Sequence, residues 1–137
     1  MLARLIFALI DFNARKGFRR HGYILVARNF AAPGLRGEID MVGYDGSVLA
    51  FVEVKTRTRP DPAVNARTPQ PALEAAVNLE KRRNISRMAQ QFLRARHIES
   101  AQCRFDVLAI ETRPGAKPDV RLHKDAFNVG EPHPRQL

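Results

Sequence analysis

Asp40, Glu53 and Lys55 lie among apolar residues in the stretch GEIDMVGYDGSVLAFVEVKTR, residues 37–57, which also contains Glu38, Asp45 and Arg57. Apolar runs on both sides of an Asp-Gly pair are the strongest short-range signal for a β-hairpin. The core of a sheet with no other role would carry valine or isoleucine at positions 40, 53 and 55, because moving a charged side chain out of water costs free energy. The pattern therefore indicates a hairpin that keeps these three charges for chemistry.

A turn centred on Asp45 and Gly46 predicts which of these side chains meet. Residues alternate between the two faces of a strand, so Asp40 and Glu53 share a face as diagonal neighbours, with backbones roughly 7–8 Å apart. The same register puts Glu38 directly opposite Glu53, which is destabilising unless a cation lies between them. Mg²⁺ prefers oxygen ligands and keeps several waters, so two carboxylates and a backbone carbonyl can hold it.

A structural interpretation competes with this one. Glu53 and Lys55 could form an ion pair at the edge of a sheet while Asp40 stays solvated. The tripeptide Glu-x-Lys is common, and alone it would favour the ion pair. The apolar surroundings and the second carboxylate on the same face favour a functional site.

Composition limits the partners of this chain. Its 137 residues include 23 Lys and Arg against 14 Asp and Glu, giving a formal charge of +9 and a pI near 10.8. This balance suits nucleic acid, anionic lipid or an acidic protein. The single Cys103 excludes an internal disulfide and fits a reducing cytosol. The four histidines lack paired metal-binding spacing, so we expect no zinc site.

The order of elements predicts an α/β fold. A helix over residues 2–20 is followed by three strands, a long helix from about residue 71 to 96, and two strands, the order α-β-β-β-α-β-β. This order fits a central mixed β-sheet flanked by helices, formed by a single domain at 1–128 with a flexible tail at 129–137.

Two further segments carry expectations. The segment 59–71 holds four prolines and predicts an extended loop. The apolar start at 5–10 is too short for a signal peptide or a membrane span, so we expect a cytoplasmic protein and no membrane partner.

The long helix carries cations on two stripes. Lys81 falls on the apolar stripe with Val77 and Ile85 and should point toward the sheet, although it could also run along the helix edge into solvent. The second stripe suits phosphate contacts, although a merely solvated basic face would look the same; it consists of Arg83, Arg87 and Arg94.

The arrangement D-x(12)-E-x-K on a hairpin after an N-terminal helix resembles the PD-(D/E)xK nuclease superfamily, which includes restriction endonucleases and archaeal Holliday junction resolvases. The whole chain resembles the YraN-like family of endonuclease-related proteins. The matching pieces cover most of residues 11–128 in order; they are GYILVARNF, GEIDMV, FVEVKTR, the helix with EKRR, CRFDVLAI and KDAFN.

The resemblance implies a restriction-endonuclease-like fold and a Mg²⁺- or Mn²⁺-dependent phosphodiesterase site. Asp40 and Glu53 would be metal ligands and Val54 would offer its carbonyl. Lys55 would be the catalytic lysine, and Asp11 on the first helix would complete the metal shell. Lys81 would take an accessory position, because it matches a lysine of the family. Apart from the resemblance, we expect Glu38 to act as an accessory residue behind the metal ligands or to bind a second metal.

The sequence therefore predicts a metal-dependent endonuclease acting on nucleic acid, with structure-selective DNA, branched or junction-like, favoured over RNA. Arg57 joins the helix arginines as a candidate nucleic-acid contact. Resolving branched DNA would need two sites and hence a homodimer. The alternative is a non-catalytic nucleic-acid-binding module on the same fold, which leaves the clustered carboxylates without a purpose.

Overall fold

The computed structural model describes residues 16–58 and 79–127. Five strands and one long helix lie in these ranges, and residues 16–20 are helical. The strands are Ile24–Phe30 (β1), Ile39–Asp45 (β2), Val48–Thr58 (β3), Gln102–Thr112 (β4) and Asp119–His123 (β5). The helix, Leu79–Ala95 (α1), lies between β3 and β4. This order agrees with the sequence prediction over the described residues.

The five strands form one mixed sheet in the order β1-β2-β3-β4-β5. β3 and β4 are parallel and pair over eleven residues, from Val48 with Gln102 to Thr58 with Thr112. The other three neighbouring pairs are antiparallel. A parallel pair needs a crossover connection, which α1 supplies together with the residues that precede it. The predicted α/β architecture is confirmed at this level.

Apolar clusters cover both faces of the sheet. On one face the helix residues Ile85, Met88 and Phe92 pack on Phe51 and Val107. The Phe92 ring meets that of Phe51 edge to face at 5.8 Å between centroids. On the opposite face the buried residues are Phe18, Tyr23, Met41, Ala50, Val52, Leu108 and Ile110. The sheet is therefore a central layer with helical residues on both sides.

The helix α1 contains no Gly or Pro and ends in a Schellman motif. The N–H of Ile98 donates to the carbonyl of Leu93 at 2.9 Å, and that of His97 donates to Arg94 at 3.1 Å. His97 takes the left-handed conformation, with φ of 55°. The predicted end near residue 96 is confirmed, whereas the predicted start, residues 71–78, lies outside the described residues.

The register of the β2–β3 hairpin differs from the prediction by two residues. Asp45 pairs with Val48, Val42 with Phe51 and Met41 with Val52, so the turn residues are Gly46 and Ser47. Gly46 has φ of 61°, which suits the first central position of a type II′ turn. A shift of two preserves the face of every side chain, but it changes every cross-strand partner.

Other predicted segments have mixed outcomes. The sequence KDAF after the last strand predicts one turn of helix, but this prediction is wrong: Lys124 and Asp125 form a non-helical turn in which Asp125 has φ of 55°. The N–H of Asp125 donates to the buried Asp106 carboxylate at 2.8 Å, and this hydrogen bond fixes the turn against β4. The first helix before residue 16, the proline-rich loop and the tail lie outside the described residues.

None of the helical segments in the described part of the chain is long and apolar enough to cross a lipid bilayer.

Candidate active site

The candidate site lies where β2 and β3 stop pairing. The last β2–β3 pair is Met41 with Val52, and continuing that register puts Asp40 opposite Glu53. The predicted clash of Glu38 with Glu53 is therefore absent, because Glu38 falls two residues further along and is exposed. The structure thus brings Asp40 and Glu53 closer than the diagonal arrangement predicted from the sequence.

Asp40 is held against β3 by a backbone contact. The N–H of Val54 donates to Asp40 Oδ2 at 2.7 Å, so the carboxylate replaces a strand carbonyl just beyond the end of the ladder. This contact fixes the side chain beside Glu53, which is only 6% exposed. Val54, whose carbonyl the resemblance assigns to the metal, therefore lies in contact with one of the two carboxylates.

Burial and repulsion perturb the charge of Asp40. Burial, followed by the negative charge of Glu53, raises the pKa of Asp40 from 3.8 to about 6, although the Val54 N–H and Lys81 oppose this rise. A hydrogen bond between the two carboxyl groups adds to the increase. Carboxyl groups whose pKa is raised in this way concentrate at functional sites.

Two lysines from different elements balance the two carboxylates. Lys81, on α1, approaches Glu53 Oε1 to 2.5 Å, and Lys55, on β3, lies 3.5 Å from the same oxygen. Lys81 therefore points toward the sheet, which is one of the two directions that its position on the apolar stripe left open. The four formal charges, two negative and two positive, sum to zero in this cluster.

The two lysines have opposite pKa shifts. Burial, and then the hydrogen bond with Lys81, lowers the pKa of Lys55, although the nearby Glu53 opposes this change. Burial also acts to lower the pKa of Lys81, but its hydrogen bonds to Glu53 and Lys55 outweigh it and the pKa is raised. Lys55 is consequently the amine from which a proton is removed more easily.

The donor set suits a hard divalent cation. Two adjacent carboxylates and a backbone carbonyl offer only oxygen, as Mg²⁺ and Mn²⁺ prefer. Within residues 16–58 and 79–127 no group of three His, Cys, Asp or Glu side chains is placed to hold a metal. Since Mg²⁺ keeps several waters, two carboxylates suffice. Asp11, the further candidate ligand, lies outside the described residues.

A basic groove of about 710 Å³ lies next to the cluster. Its walls are the loop Gly34–Arg36 and the first half of α1, and Lys81 lines it. The loop is tied to the helix because the Asn84 side-chain amide donates to the Arg36 carbonyl. The groove is also lined by Glu80, Arg83 and Arg87, so its cations outnumber its acids.

The predicted nucleic-acid contacts separate into two groups. Arg83, Arg87 and Arg94 are exposed on α1, and the first two line the groove. Arg57 instead bonds the buried Glu111 at 2.9 Å and is itself largely covered. Arg57 therefore neutralises a carboxylate between β3 and β4.

A second polar cluster was not predicted from the sequence. The buried Asp106 accepts a hydrogen bond from the Tyr23 hydroxyl at 2.6 Å and another from Arg104 Nε at 2.8 Å. Arg104 also bonds Asp45 at 2.8 Å, next to the hairpin turn. Burial and the bond to Asp106 raise the pKa of Tyr23. The alternation of side chains in CRFDV puts Asp106 on the face of the sheet where Tyr23 packs. This charged residue inside an apolar strand was the only signal in the sequence for the cluster.

The chain matches a known family over most of its length. Residues 12–110 match Uncharacterised protein family UPF0102. A UPF0102 protein of Koribacter versatilis is 41% identical over 110 residues, which are 80% of this chain and 69% of that relative. A UPF0102 protein of Symbiobacterium thermophilum is 39% identical over 108 residues, covering 79% of this chain and 83% of the relative.

A third relative, from Geobacter metallireducens, is 39% identical over 110 residues, 80% of this chain and 81% of its own. The chain belongs to the UPF0102 family, the YraN-like family that its motifs resemble. The matched range contains Asp40, Glu53, Lys55 and Lys81.

Proposed function

We propose that this protein is a metal-dependent endonuclease of the PD-(D/E)xK type, with a restriction-endonuclease-like fold. One observation carries the proposal: the carboxyl groups of Asp40 and Glu53 lie next to each other where the hairpin strands stop pairing. Lys55 lies beside them, and a basic groove adjoins the cluster. Keeping two carboxylates at such a place is costly in a protein that only needs to fold. A cation that both carboxylates bind would relieve their repulsion.

The chain supplies the groups that phosphodiester hydrolysis needs. Asp40, Glu53 and the Val54 carbonyl would hold Mg²⁺ or Mn²⁺. Such a cation supplies charge stabilisation at the phosphoryl group and makes water easier to deprotonate. Lys55 Nζ would orient the attacking water and accept its proton, or donate to the phosphoryl oxygens in the transition state. The lowered pKa of Lys55 favours the first of these roles.

The substrate we propose is nucleic acid, DNA rather than RNA. The cations of the groove, together with a net charge of +9, suit binding to the phosphate backbone without reading base sequence. Selection would then act on the shape of the substrate, such as a branch or a junction. We further propose a cytoplasmic location and a homodimer, in which two sites could cut two strands.

Cleavage of a labelled panel tests this proposal. The panel comprises single-stranded, duplex, flapped and four-way-junction DNA, and RNA, each with Mn²⁺, Mg²⁺ or EDTA. Glu53→Gln should abolish cutting, because it removes a ligand charge. Asp119→Asn, an exposed change at the edge of the sheet, should cut like the wild type. Cutting that persists in EDTA or in Glu53→Gln would reject the site.

A binding module without catalysis is the second candidate. The observation in its favour is that the ammonium groups of Lys55 and Lys81 already balance the charges of Asp40 and Glu53 without any metal ion. This candidate predicts nucleic-acid binding that depends on salt and is unchanged by divalent cations. The panel above separates the two candidates, because only the endonuclease gives products.

A further inference from the structure

Lys81 lies at the boundary between the carboxylate cluster and the basic groove. Its ammonium is 2.5 Å from Glu53 Oε1, while the residue itself is one of those that line the groove. The side chain is 40% exposed, whereas that of Glu53 is only 7% exposed. The same amine can therefore be reached from the groove while it is bound to a buried carboxylate.

The contact with Glu53 holds this amine away from ligands in the groove. A carboxylate as buried as Glu53 requires a cation, since an uncompensated buried charge is strongly destabilising. Lys55, at 3.5 Å, is the more distant of its two lysine partners. Lys81 is thus the main cation that satisfies Glu53 in the cluster as it stands.

The groove offers Lys81 an alternative setting. Arg36, Arg83 and Arg87 line it with Lys81, and Glu80 is the acid among its lining residues. A phosphate group bound among these cations would lie in the same groove that Lys81 lines. A lysine is well suited to exchange partners, because its ammonium is a compact charge with three donors on a flexible stem.

We propose that Lys81 exchanges between Glu53 and a backbone phosphodiester of a nucleic acid bound in the groove. The identity of this ligand rests on the proposed function. When a divalent cation satisfies Glu53, Lys81 is released to bind phosphate. Cation binding and nucleic-acid binding are then linked, and each strengthens the other by the same factor.

Binding measured in EDTA tests the exchange without any metal. The assay is fluorescence anisotropy of a labelled single-stranded DNA oligonucleotide at several salt concentrations. Glu53→Gln breaks the ion pair with Lys81. Asp40→Asn is the matched control, since it removes the same charge from the neighbouring carboxyl group and leaves the ion pair of Lys81 with Glu53 in place. Glu53→Gln should bind about fivefold more tightly than Asp40→Asn. Its log–log salt slope should also steepen by about one, for one added lysine–phosphate contact.

The Lys81→Met background identifies the residue responsible. This change keeps the apolar stem and removes the charge. The difference between Glu53→Gln and Asp40→Asn should disappear in that background. Equal affinities of the two variants, or a difference that survives Lys81→Met, would overturn the exchange.

A second comparison avoids the buried substitution, in case Glu53→Gln does not fold. Lys81→Met alone should bind DNA like the wild type in EDTA, and about fivefold more weakly than the wild type in Ca²⁺. Arg83→Met should weaken binding equally in both conditions. Equal losses for Lys81→Met in the two conditions would also overturn the exchange.

The outcomes for the two proposals are separable. If the binding differences in EDTA are observed but nothing is cut in Mn²⁺, the exchange of Lys81 is supported and the endonuclease proposal is rejected. If nucleic acid is cut but the binding differences in EDTA are missing, the endonuclease proposal is supported and the exchange is rejected.

Discussion

Replacing Asp40 by Asn should make the metal-free protein more stable. At neutral pH the Asp40 carboxylate is ionised beside Glu53 in a site that favours its protonated form. Asn has nearly the same shape and can still accept the Val54 N–H. Its amide N–H can in addition donate to Glu53. The substitution therefore removes a repulsion while it preserves the contact that fixes the side chain.

The size of the effect follows from the raised pKa. The difference between the ordinary value of 3.8 and about 6 corresponds to a cost of about 3 kcal/mol for the ionised form. We expect Asp40→Asn to recover about 1–3 kcal/mol, a Tm increase of roughly 3–10 °C for a chain of this length. Asp45→Asn should act in the opposite direction, because bonds to Arg104 and Lys124 lower the pKa of Asp45.

The pH dependence gives the sign of the effect. Between pH 3.8 and about 6 the folded state binds a proton at Asp40 that the unfolded state has released. The contribution of this group to stability is therefore fully present below pH 3.8 and is lost as pH rises through about 6. The advantage of Asp40→Asn should be greatest above pH 7 and vanish near pH 3.5.

Thermal unfolding in EDTA at several pH values measures this difference. Mn²⁺ should then raise the Tm of the wild type and leave that of Asp40→Asn unchanged, since the variant lacks one ligand charge. A variant that is less stable than the wild type at pH 8, or an advantage that is equal at all pH values, would refute the electrostatic reasoning.

Three further changes test other parts of the structure. Gly43→Ala should lower the Tm by several degrees, because its Cβ would lie 2.6 Å from the Ile24 carbonyl oxygen and would collide with the Phe18 ring; an unchanged Tm would contradict this packing. Arg57→Met should cost roughly 1–3 kcal/mol in urea unfolding, because Glu111 is buried and loses one of its cations; an unaltered midpoint would show that the pair contributes nothing. Arg87→Met should make the salt slope of DNA binding less steep by about one, and an identical slope would exclude this part of the groove from the interface.

The sequence predicted the face of the hairpin but not its register. Alternation puts Asp40, Glu53 and Lys55 on one face in either register, because the two registers differ by two residues. Asp45-Gly46 and Gly46-Ser47 are both acceptable two-residue turns. The choice between them involves bonds of Asp45 to Arg104 and Lys124, which lie more than fifty residues along the chain. No local pattern contains that information.

The same limit applies to the ion pairs. Helical periodicity put Lys81 on the apolar stripe and left two directions open for its side chain, which in the structure points toward the sheet. It could not name Glu53 as the partner, because the contact joins separate elements of the fold. Nor could it show that Arg57 would be bound by Glu111. Periodicity assigns a side chain to a face, and only tertiary packing decides what it meets.

Lys55→Met tests the central claim most directly. The measurement is the single-turnover cleavage rate of the best substrate in Mn²⁺, with cation and DNA affinities determined on the same variant. If Lys55 acts on the water or on the phosphoryl oxygens, cleavage should fall by about 10²–10⁴-fold, while both affinities stay within a few-fold of the wild type. Cleavage at the wild-type rate would contradict a catalytic role for Lys55. If neither protein cuts DNA that both of them bind, the endonuclease proposal is rejected in favour of the binding module.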